Sequence, residues 1–429
     1  MANLSTRFQI RDRNSVSGRT LSSPMPEPMQ QNLERAQTLL AEEFLGVTTD
    51  GRVIPGLYQL QKTGLSIDPI KYAANTFLAS LSAEQNDAAS FDVDSIAWRQ
   101  WSNIHPFLMR HGAFLDSLMP THRDNAMTLL KESLSPKGYQ TARDIMRLNE
   151  TILELTGKTE EYGEWLYWMS LMGTPSSDEP WGWQIDGHHL IINYFMVNGR
   201  AVMSPVFMGS EPIDADAGKY KGTRVFHDEE HLGLLLAQSL SPEQRNKTVI
   251  GDELPPEVFT TAFRDNFELK YEGIPYNELS SSQQGMMLGV IDTYVGRMRQ
   301  DQASLKMDEV KQHLGKTYFA WMGASTKQDV YYYRIHSPVI LIEFDYQRPS
   351  EDVSSLSMVG QARYDGDIPG GYVNGLKTGG TLWADLNSGD IRVGFTPNQR
   401  LRISRLETAS DWIVTDMDGQ LASAPRLYE

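Results

Sequence analysis

The stretch PWGWQIDGHHLIINYFMVNGRAVMSPVFM, residues 180–208, decides the fold class. Two apolar runs flank Asn198-Gly199, and both residues of this pair tolerate positive φ, which is typical of a two-residue β-hairpin turn. A turn at this place pairs Val197 with Arg200 and extends the pairing outward along both runs. The stretch therefore predicts a β-hairpin near the centre of the chain.

Side chains alternate along a strand, so the same turn predicts two faces of this hairpin. One face carries His189 and Asn193, with Ser204 opposite Asn193 and Met208 opposite His189. His188 points to the other face, which is apolar and fits a core. We expect His189 to act as a general base or metal ligand, with Asn193 and Ser204 binding a polar substrate group. The alternative is a histidine satisfied by a hydrogen bond at the edge of a packed sheet.

Helices dominate the sequence before the hairpin, because apolar residues recur there at three- and four-residue spacing. Serine follows leucine at four places where its hydroxyl would cap a helix start: Leu81-Ser82, Leu134-Ser135, Leu240-Ser241 and Leu279-Ser280. The intervals between these caps are unequal, so they favour four separate helix starts over a true repeat. A second helical region is expected after the hairpin, from about Asp228 to Met307.

The C-terminal part of the chain returns to β structure. Residues Tyr331 to Tyr346 contain two strand-like segments separated by Ser337-Pro338, and shorter ones follow. These patterns predict an α+β fold with a helical N-terminal half and a β-hairpin-rich central and C-terminal sheet. We expect a disordered tail at residues 1–28, a main α+β domain at 29–349, and a divergent β-rich segment at 350–429 that packs on it.

Composition limits the partners and the compartment. The 429 residues include 39 Lys and Arg against 55 Asp and Glu, and the net charge of −16 disfavours nucleic acid and anionic membranes. Cysteine is absent, which excludes disulfides, thiolate metal sites and cysteine nucleophiles. No apolar run is long enough to span a bilayer and no signal-peptide core is present, so we expect a cytoplasmic protein with a small-molecule substrate or ligand. Motifs of nucleotide cofactors are also absent.

A second polar face is expected on the hairpin formed by Tyr331 to Tyr346. Tyr332, Arg334 and His336 share one parity, and Glu343 lies on the same face if the connection is tight. Such a set is costly to bury without partners or a ligand. We expect Arg334 to hold an anionic or carbonyl oxygen and Glu343 to orient the reacting group, while Tyr332 and His336 contact the substrate. The alternative is a solvated face with an Arg334–Glu343 ion pair.

These candidate residues leave the reaction class open. His189, His336 and Glu343 offer the imidazole and carboxylate ligands of a divalent transition metal, which is one version of the site. We expect a His-dependent enzyme of small-molecule metabolism, either an oxidoreductase, a lyase or a hydrolase. A non-catalytic small-molecule-binding protein is the alternative.

A competing metal motif lies in the second helical region. His227-Asp228-Glu229-Glu230-His231 matches the inverted zincin pattern, in which His227 and His231 bind zinc and Glu230 acts as base. Acidic residues also complement the dipole at a helix N-terminus. We therefore expect this segment to open a helix and to hold no catalytic metal.

Three sequence blocks, Pro180-Trp181-Gly182-Trp183, Gly187-His188-His189-Leu190 and Pro205-x-Phe207-x-Gly209-x-Glu211-Pro212, resemble the domain of unknown function 3500 family of bacterial and fungal proteins. Weaker similarity extends from about Tyr72 to Asp345. The family has no assigned activity, so the resemblance implies no reaction. Its members look as if they carry a His-x-His pair after the glutamate strand, whereas this chain has no histidine beyond His336. The resemblance thus puts a family-wide metal site in doubt here and is consistent with the binding-protein alternative.

Overall fold

The structure is a computed structural model, and it describes residues 27–54, 57, 63–103, 111–157, 159, 162–251, 253–255, 258–325 and 330–346, with four strands between residues 381 and 416. The fold is α+β, as predicted. Residues 1–26 of the expected tail and much of the expected C-terminal segment lie outside the described residues, and the division into domains stays a prediction. Within the described ranges, no helix combines the length and apolar character needed to cross a membrane.

Helices and strands alternate in blocks along the described chain. The α-helices are α1 (Glu27–Leu40), α2 (Asp68–Ser80), α3 (Ala83–Ala89), α4 (Pro120–Ser133), α5 (Pro136–Thr156), α6 (His227–Gln238), α7 (Pro242–Thr248), α8 (Ser281–Val295) and α9 (Gln300–Gln312). The longer strands are β4 (Tyr167–Met172), β5 (Trp181–Gly187), β6 (Leu190–Val197), β7 (Arg200–Met208), β11 (Tyr318–Gly323), β12 (Tyr331–His336) and β13 (Leu341–Tyr346). The shorter strands are β1 (Val47–Thr48), β2 (Ser90–Phe91), β3 (Ala113–Phe114), β8 (Val249–Gly251), β9 (Phe267–Glu268) and β10 (Ile274–Pro275). Near the C terminus lie β14 (Thr381–Asp385), β15 (Asp390–Thr396), β16 (Gln399–Arg405) and β17 (Trp412–Asp416). Helices thus occur on both sides of the central strands and are not confined to the first half.

Two large sheets carry the predicted hairpins. The N-terminal sheet has the order β2-β4-β5-β6-β7, with β3 also paired to β4. The C-terminal sheet has the order β10-β11-β12-β13, with β8 also paired to β11. Separate pairings join β1 with β9 and connect β14 to β17 in sequence order. The hairpins predicted at Asn198-Gly199 and around Ser337-Pro338 are confirmed as β6–β7 and β12–β13.

The two large sheets and their helices repeat one arrangement. We call residues 68–208 the N-terminal half and residues 227–346 the C-terminal half. In both halves a short strand pairs in parallel with the first long strand, as β2 does with β4 and β8 with β11. A second short strand, β3 or β10, pairs antiparallel with that same strand. Two long helices then lead into an antiparallel meander, β4–β5–β6 or β11–β12–β13.

The serine caps fit this repeat, which corrects the interpretation of four unrelated helix starts. Ser82 and Ser241 form capping boxes at corresponding places, the starts of α3 and α7. Ser135 and Ser280 also cap helices, but they begin α5 and α8, which do not correspond. Unequal intervals arise because two of the four caps fall on different helices of the two halves.

Strand pairing fixes which residues correspond between the halves. Strand β3 ends opposite one residue of β4, and Gln184 of β5 lies opposite the residue two positions further along β4. On its other side, Gln184 pairs with Asn193 of β6. Arg334 holds the same place relative to β11 and β10, and it pairs with Glu343 of β13. The Gln184–Asn193 pair therefore corresponds to the Arg334–Glu343 pair.

The two halves contact each other where their long helices turn. Leu134, between α4 and α5, forms an antiparallel bridge with Met298, between α8 and α9. The residues flanking this pair exchange reciprocal backbone hydrogen bonds of 2.9 and 3.3 Å. Such reciprocal bonds indicate a local two-fold relation between the halves.

The apolar core lies on one face of each large sheet. Alternation along β5 places Trp181, Trp183 and Ile185 in a core cluster that also contains Tyr331 and Tyr333 of β12, so the core is continuous between the halves. These side chains bury large apolar surfaces, which is the main driving force for the fold. The opposite face of each sheet carries polar side chains, which contact described residues that precede β3 (residues 97–98 and His111) or β10 (Phe259 and Thr260).

The predicted register of the β6–β7 hairpin holds only near its turn. Val197 pairs with Arg200 as expected, but the register shifts by one residue between Ile192 and Tyr194, and Leu190 then pairs with Met208. Pro205 lies in this bulge, and proline has no N–H to donate to a ladder. The pairing of His189 with Met208 is therefore wrong, and His189 lies outside the strand.

Candidate functional site

The predicted site residues are divided between the two sheets. Four of them lie on the polar face of the C-terminal sheet or at its edge: Tyr332, Arg334, His336 and Glu343. The other three belong to the N-terminal sheet and its turns: His189, Asn193 and Ser204. Ser204 is exposed at the bulge. The two groups belong to different sheets, and Arg334 and His189 are therefore separate candidate sites.

Arg334 is the most unusual polar residue of the C-terminal sheet. Its side chain is 1 % exposed, its Nη2 lies 2.7 Å from Glu272, and its guanidinium carbon lies 5.6 Å from the ring centre of Phe259. Among the described residues, neither its Nε nor its Nη1 has a hydrogen-bond partner. The alternative of a solvated face with an Arg334–Glu343 ion pair is wrong, because Arg334 is buried and pairs with Glu272. A buried guanidinium with unused donors is costly to maintain.

The carboxylate oxygens of Glu343 accept hydrogen bonds from several donors within the protein. Its carboxylate accepts hydrogen bonds from the backbone N–H groups of Phe259 (2.7 Å) and Thr260 (3.0 Å), and from the Thr260 hydroxyl. The Tyr332 hydroxyl donates a further bond of 2.7 Å. Burial and the Glu343 charge raise the pKa of Tyr332, which keeps that phenol protonated as a donor. Through these hydrogen bonds, Glu343 holds the segment before β10 against the sheet beside Arg334.

His336 is a neutral imidazole at the end of β12. It is buried, its ring centre lies 4.6 Å from that of Tyr271, and its Nδ1 has no hydrogen-bond partner among the described residues. Burial, followed by the charge of Arg334, lowers the pKa of His336 to about 4. At neutral pH this ring can accept a hydrogen bond from a ligand.

The corresponding place in the N-terminal sheet holds a neutral network instead. Gln184 donates from Nε2 to Asn193 Oδ1 (2.7 Å) and to the carbonyl groups of residues 97–98, and its Oε1 lies 2.7 Å from Nε2 of His111. Asn193 in turn donates to the carbonyl of Pro205 over 3.0 Å. Because these amides are used within the protein, their geometry favours a structural role for Asn193.

His188 and His189 form the turn between β5 and β6. His189 has a φ of +60°, and the two imidazole centres lie 4.0 Å apart. The expectation that these rings point to opposite sides of a strand is wrong, because neither residue is in the strand. His188 is buried with its Nδ1 2.9 Å from Oδ1 of Asn149, while the half-buried ring of His189 stacks on Phe207 at 6.1 Å.

Two of the sequence blocks that carry the family resemblance meet at His189. Gly209 donates its N–H to the carbonyl of His189 over 2.8 Å. A Cβ at Gly209 would lie 3.2 Å from the His189 ring and 3.0 Å from that of Phe207, so glycine leaves room for the stack. The backbone N–H of His189 donates to the carbonyl of Asn103 over 3.2 Å. These contacts hold His189 in its left-handed conformation.

Asp186, Ser102 and Asn103 were not predicted from the sequence. Asp186 is buried, and the backbone N–H of Ser102 lies 3.4 Å from its Oδ1. Burial raises the pKa of Asp186 well above its usual range. The Ser102 Oγ and the Asn103 Oδ1 are buried without a hydrogen-bond partner in the described part of the chain. The available sequence signal was Asp186 itself, an acidic residue within an apolar strand.

The predicted metal ligands are not assembled by the described contacts. In the part of the chain that the structure describes, no group of three or more His, Asp or Glu side chains is arranged to hold a metal ion. His336 and Glu343 lie on β12 and β13, whereas His189 lies in a turn of the other large sheet. The set His189, His336 and Glu343 is therefore not brought together.

The zincin-like segment begins a helix, as predicted. Helix α6 starts at His227, and Glu230 is buried while His231 is exposed. His227 lies 3.1 Å from Asp214 and 3.9 Å from Glu230, and the hydrogen bond to Asp214 raises the pKa of His227. His227 is thus oriented by a carboxylate outside the motif.

Comparison with known proteins places most of the chain in one family. A family model described as protein of unknown function (DUF3500) matches residues 63–357, a span that includes both halves and both large sheets. No curated protein and no solved structure matches the chain. The match supplies no residue roles.

Proposed function

The chain belongs to the DUF3500 family of proteins of unknown function, and we propose that it binds a small organic anion through Arg334. The observation that carries the proposal is the buried guanidinium whose Nε and Nη1 have no partner among the described residues. A planar guanidinium is suited to carboxylate oxygens, which accept its N–H groups in directed hydrogen bonds. A carboxylate-bearing small molecule is therefore the favoured ligand.

The surroundings of Arg334 support an anion that is partly flat. The ring of Phe259 lies against the guanidinium, and His336 offers a neutral acceptor on the same strand face. Glu272, the ion partner of Arg334, has a side chain that is 48 % exposed. Because the Glu272 side chain is half exposed, its carboxylate can return to water when a ligand carboxylate takes its place on Arg334. Glu343 and Tyr332 would hold the segment before β10 in place. The positive charge of Arg334 would then be available to bind the ligand.

A His-dependent reaction in the N-terminal half is the second candidate function. It would make the chain an oxidoreductase, a lyase or a hydrolase of small-molecule metabolism, with His189 as base. The observation that favours it is the left-handed backbone of His189, three residues after Asp186, a carboxyl group whose pKa is raised by burial. Non-glycine residues held in this conformation are enriched at functional sites. The cytoplasmic location stays a prediction.

One experiment separates the two candidates. Purified, untagged protein is incubated with a small-molecule cell extract, and both the retained and the remaining compounds are quantified by mass spectrometry. We expect carboxylates to be enriched on the wild-type protein and lost with Arg334→Lys, while Arg224→Lys, at an exposed ion pair, serves as the control. Consumption of a compound that stops in His189→Ala would indicate the enzyme. Equal enrichment by wild type and Arg334→Lys would refute the anion site.

A further inference from the structure

The N-terminal half contains a second under-satisfied polar cluster, at the register position that corresponds to His336. Asp186 lies two residues beyond Gln184, as His336 lies two residues beyond Arg334. We propose that Ser102, Asn103 and Asp186 bind an uncharged hydroxyl or amide group of a small molecule beside His189. This site is independent of the anion site proposed at Arg334.

Two unused side-chain atoms carry the inference. Ser102 and Asn103 are 1 % and 5 % exposed, and the Ser102 Oγ and the Asn103 Oδ1 lack a hydrogen-bond partner in the described part of the chain. The great majority of buried polar side-chain atoms in native proteins are paired, so two orphan atoms on adjacent residues require an explanation. A ligand that supplies the missing hydrogen bonds would provide it.

The backbone of these two residues connects the members of the cluster. The N–H of Ser102 points to Asp186 Oδ1 at 3.4 Å, and the carbonyl of Asn103 accepts the N–H of His189 at 3.2 Å. Both backbone groups are used within the protein, whereas the Ser102 Oγ and the Asn103 Oδ1 lack a partner among the described residues and remain for the ligand. The cluster therefore extends from the buried strand end to the backbone of His189.

The donors and acceptors of the cluster define the ligand class. The Asn103 Oδ1 accepts hydrogen bonds, and the Ser102 hydroxyl can either donate or accept. Burial raises the pKa of Asp186, opposed only by backbone hydrogen bonds from Ser102 and Gly187, and this favours the protonated carboxyl, which is a hydrogen-bond donor. Among the described residues no charged side chain pairs with Asp186, and a charged ligand would lose its hydration there. A neutral group that both donates and accepts, such as an alcohol or an amide, fits the cluster.

The stability of a double variant tests the unused atoms. Ser102→Ala with Asn103→Leu removes two unsatisfied buried polar groups, so we expect its melting temperature to equal or exceed that of the wild type. Gln184→Leu, which breaks a satisfied network in the same sheet, is the matched control and should melt at a lower temperature. A double variant that melts as low as the control would overturn the proposal.

Uncharged probes test the ligand class on the full chain. Glycerol, erythritol, acetamide and benzamide are titrated, and at least one should raise the melting temperature of the wild type in a saturable manner. The increase should disappear in the double variant of Ser102 and Asn103 and persist in Arg334→Lys. Benzoate should show the reverse pattern if the anion site exists, so failure of one site is distinguishable from failure of the other. Absence of a saturable increase with all four probes, or its persistence in the double variant, would overturn the proposal.

Discussion

The two large sheets place different chemistry at the same register position. In the N-terminal sheet, the neutral amides of Gln184 and Asn193 bond to each other and to nearby protein groups. In the C-terminal sheet, Arg334 and Glu343 are charged, and Arg334 keeps two nitrogens without partners among the described residues. Similar backbone frames thus carry a closed network in one half and an open one in the other. Both networks are buried, so burial alone does not distinguish a candidate site from a structural contact. The distinguishing feature is the presence of hydrogen-bonding groups that have no partner.

A second corresponding pair shows how burial acts on opposite charges. Asp186 and His336 lie at equivalent strand positions, and burial is the largest cause of both pKa shifts. It raises the pKa of the acid and lowers the pKa of the base, because desolvation penalises whichever form is charged. Both halves therefore bury a titratable group whose charged form is disfavoured by desolvation.

The largest expected effect tests whether the halves truly correspond. Gly112 and Gly273 directly precede β3 and β10 with φ of +102° and +95°. A Cβ would lie 2.6 Å from the carbonyl oxygen of Met169 in one case and 2.5 Å from the carbonyl carbon of Phe319 in the other. We expect Gly112→Ala and Gly273→Ala each to lower the free energy of unfolding by at least about 4 kcal/mol, measured by urea denaturation. Gly222→Ala, with positive φ but open space, should lose only about 1 kcal/mol. A mild effect at one of the two positions would break the correspondence.

The next effect concerns pH and has opposite signs in the two halves. Because the pKa of His336 falls from 6.5 to about 4 on folding, the unfolded chain binds more protons in that window, and stability falls as pH decreases through it. His336→Gln should remove up to about 3 kcal/mol of this dependence. Asp186 has a raised pKa, so its stabilising contribution is present below pH 3.8 and is lost as pH rises through the folded value. Asp186→Asn should therefore gain stability relative to wild type as pH rises.

Urea denaturation between pH 4 and pH 7 measures both dependences. The difference in unfolding free energy between His336→Gln and wild type should grow as pH falls, whereas that between Asp186→Asn and wild type should grow as pH rises. Slopes of the same sign would contradict the view that burial disfavours the charged form of both groups.

The smallest expected effect sharpens the contrast between the closed and open networks. Gln184→Met leaves the partners of a satisfied amide unpaired and should lower the free energy of unfolding by about 1–3 kcal/mol. Arg334→Met replaces an incompletely paired buried cation by an apolar side chain of similar length, and it should leave stability unchanged or raise it. Thermal melting compares the two variants directly. An equal loss in both would mean that the guanidinium is as well satisfied as the amide, and the anion site would lose its support.

The polar face of the C-terminal hairpin could be predicted because alternation along β12 and β13 is undisturbed. Tyr332, Arg334 and Glu343 lie on one face as expected. The equivalent prediction for His189 failed, since a bulge at Pro205 shifts the register by one residue and the double histidine forms a turn. A one-residue shift reverses the faces of the strand beyond it, and Pro205, which cannot donate to a ladder, was the local signal of the bulge.

Local sequence was sufficient for those features whose interactions span only a few residues. Asn198-Gly199 forms its own turn, and Ser82 and Ser241 cap the helices they begin. The correspondence of the halves, the pairing of Arg334 with Glu272, and the contact of Ser102 with Asp186 required the tertiary structure. These depend on groups that are distant in sequence, whose burial and unused hydrogen bonds exist only once the sheets and their covering segments have come together.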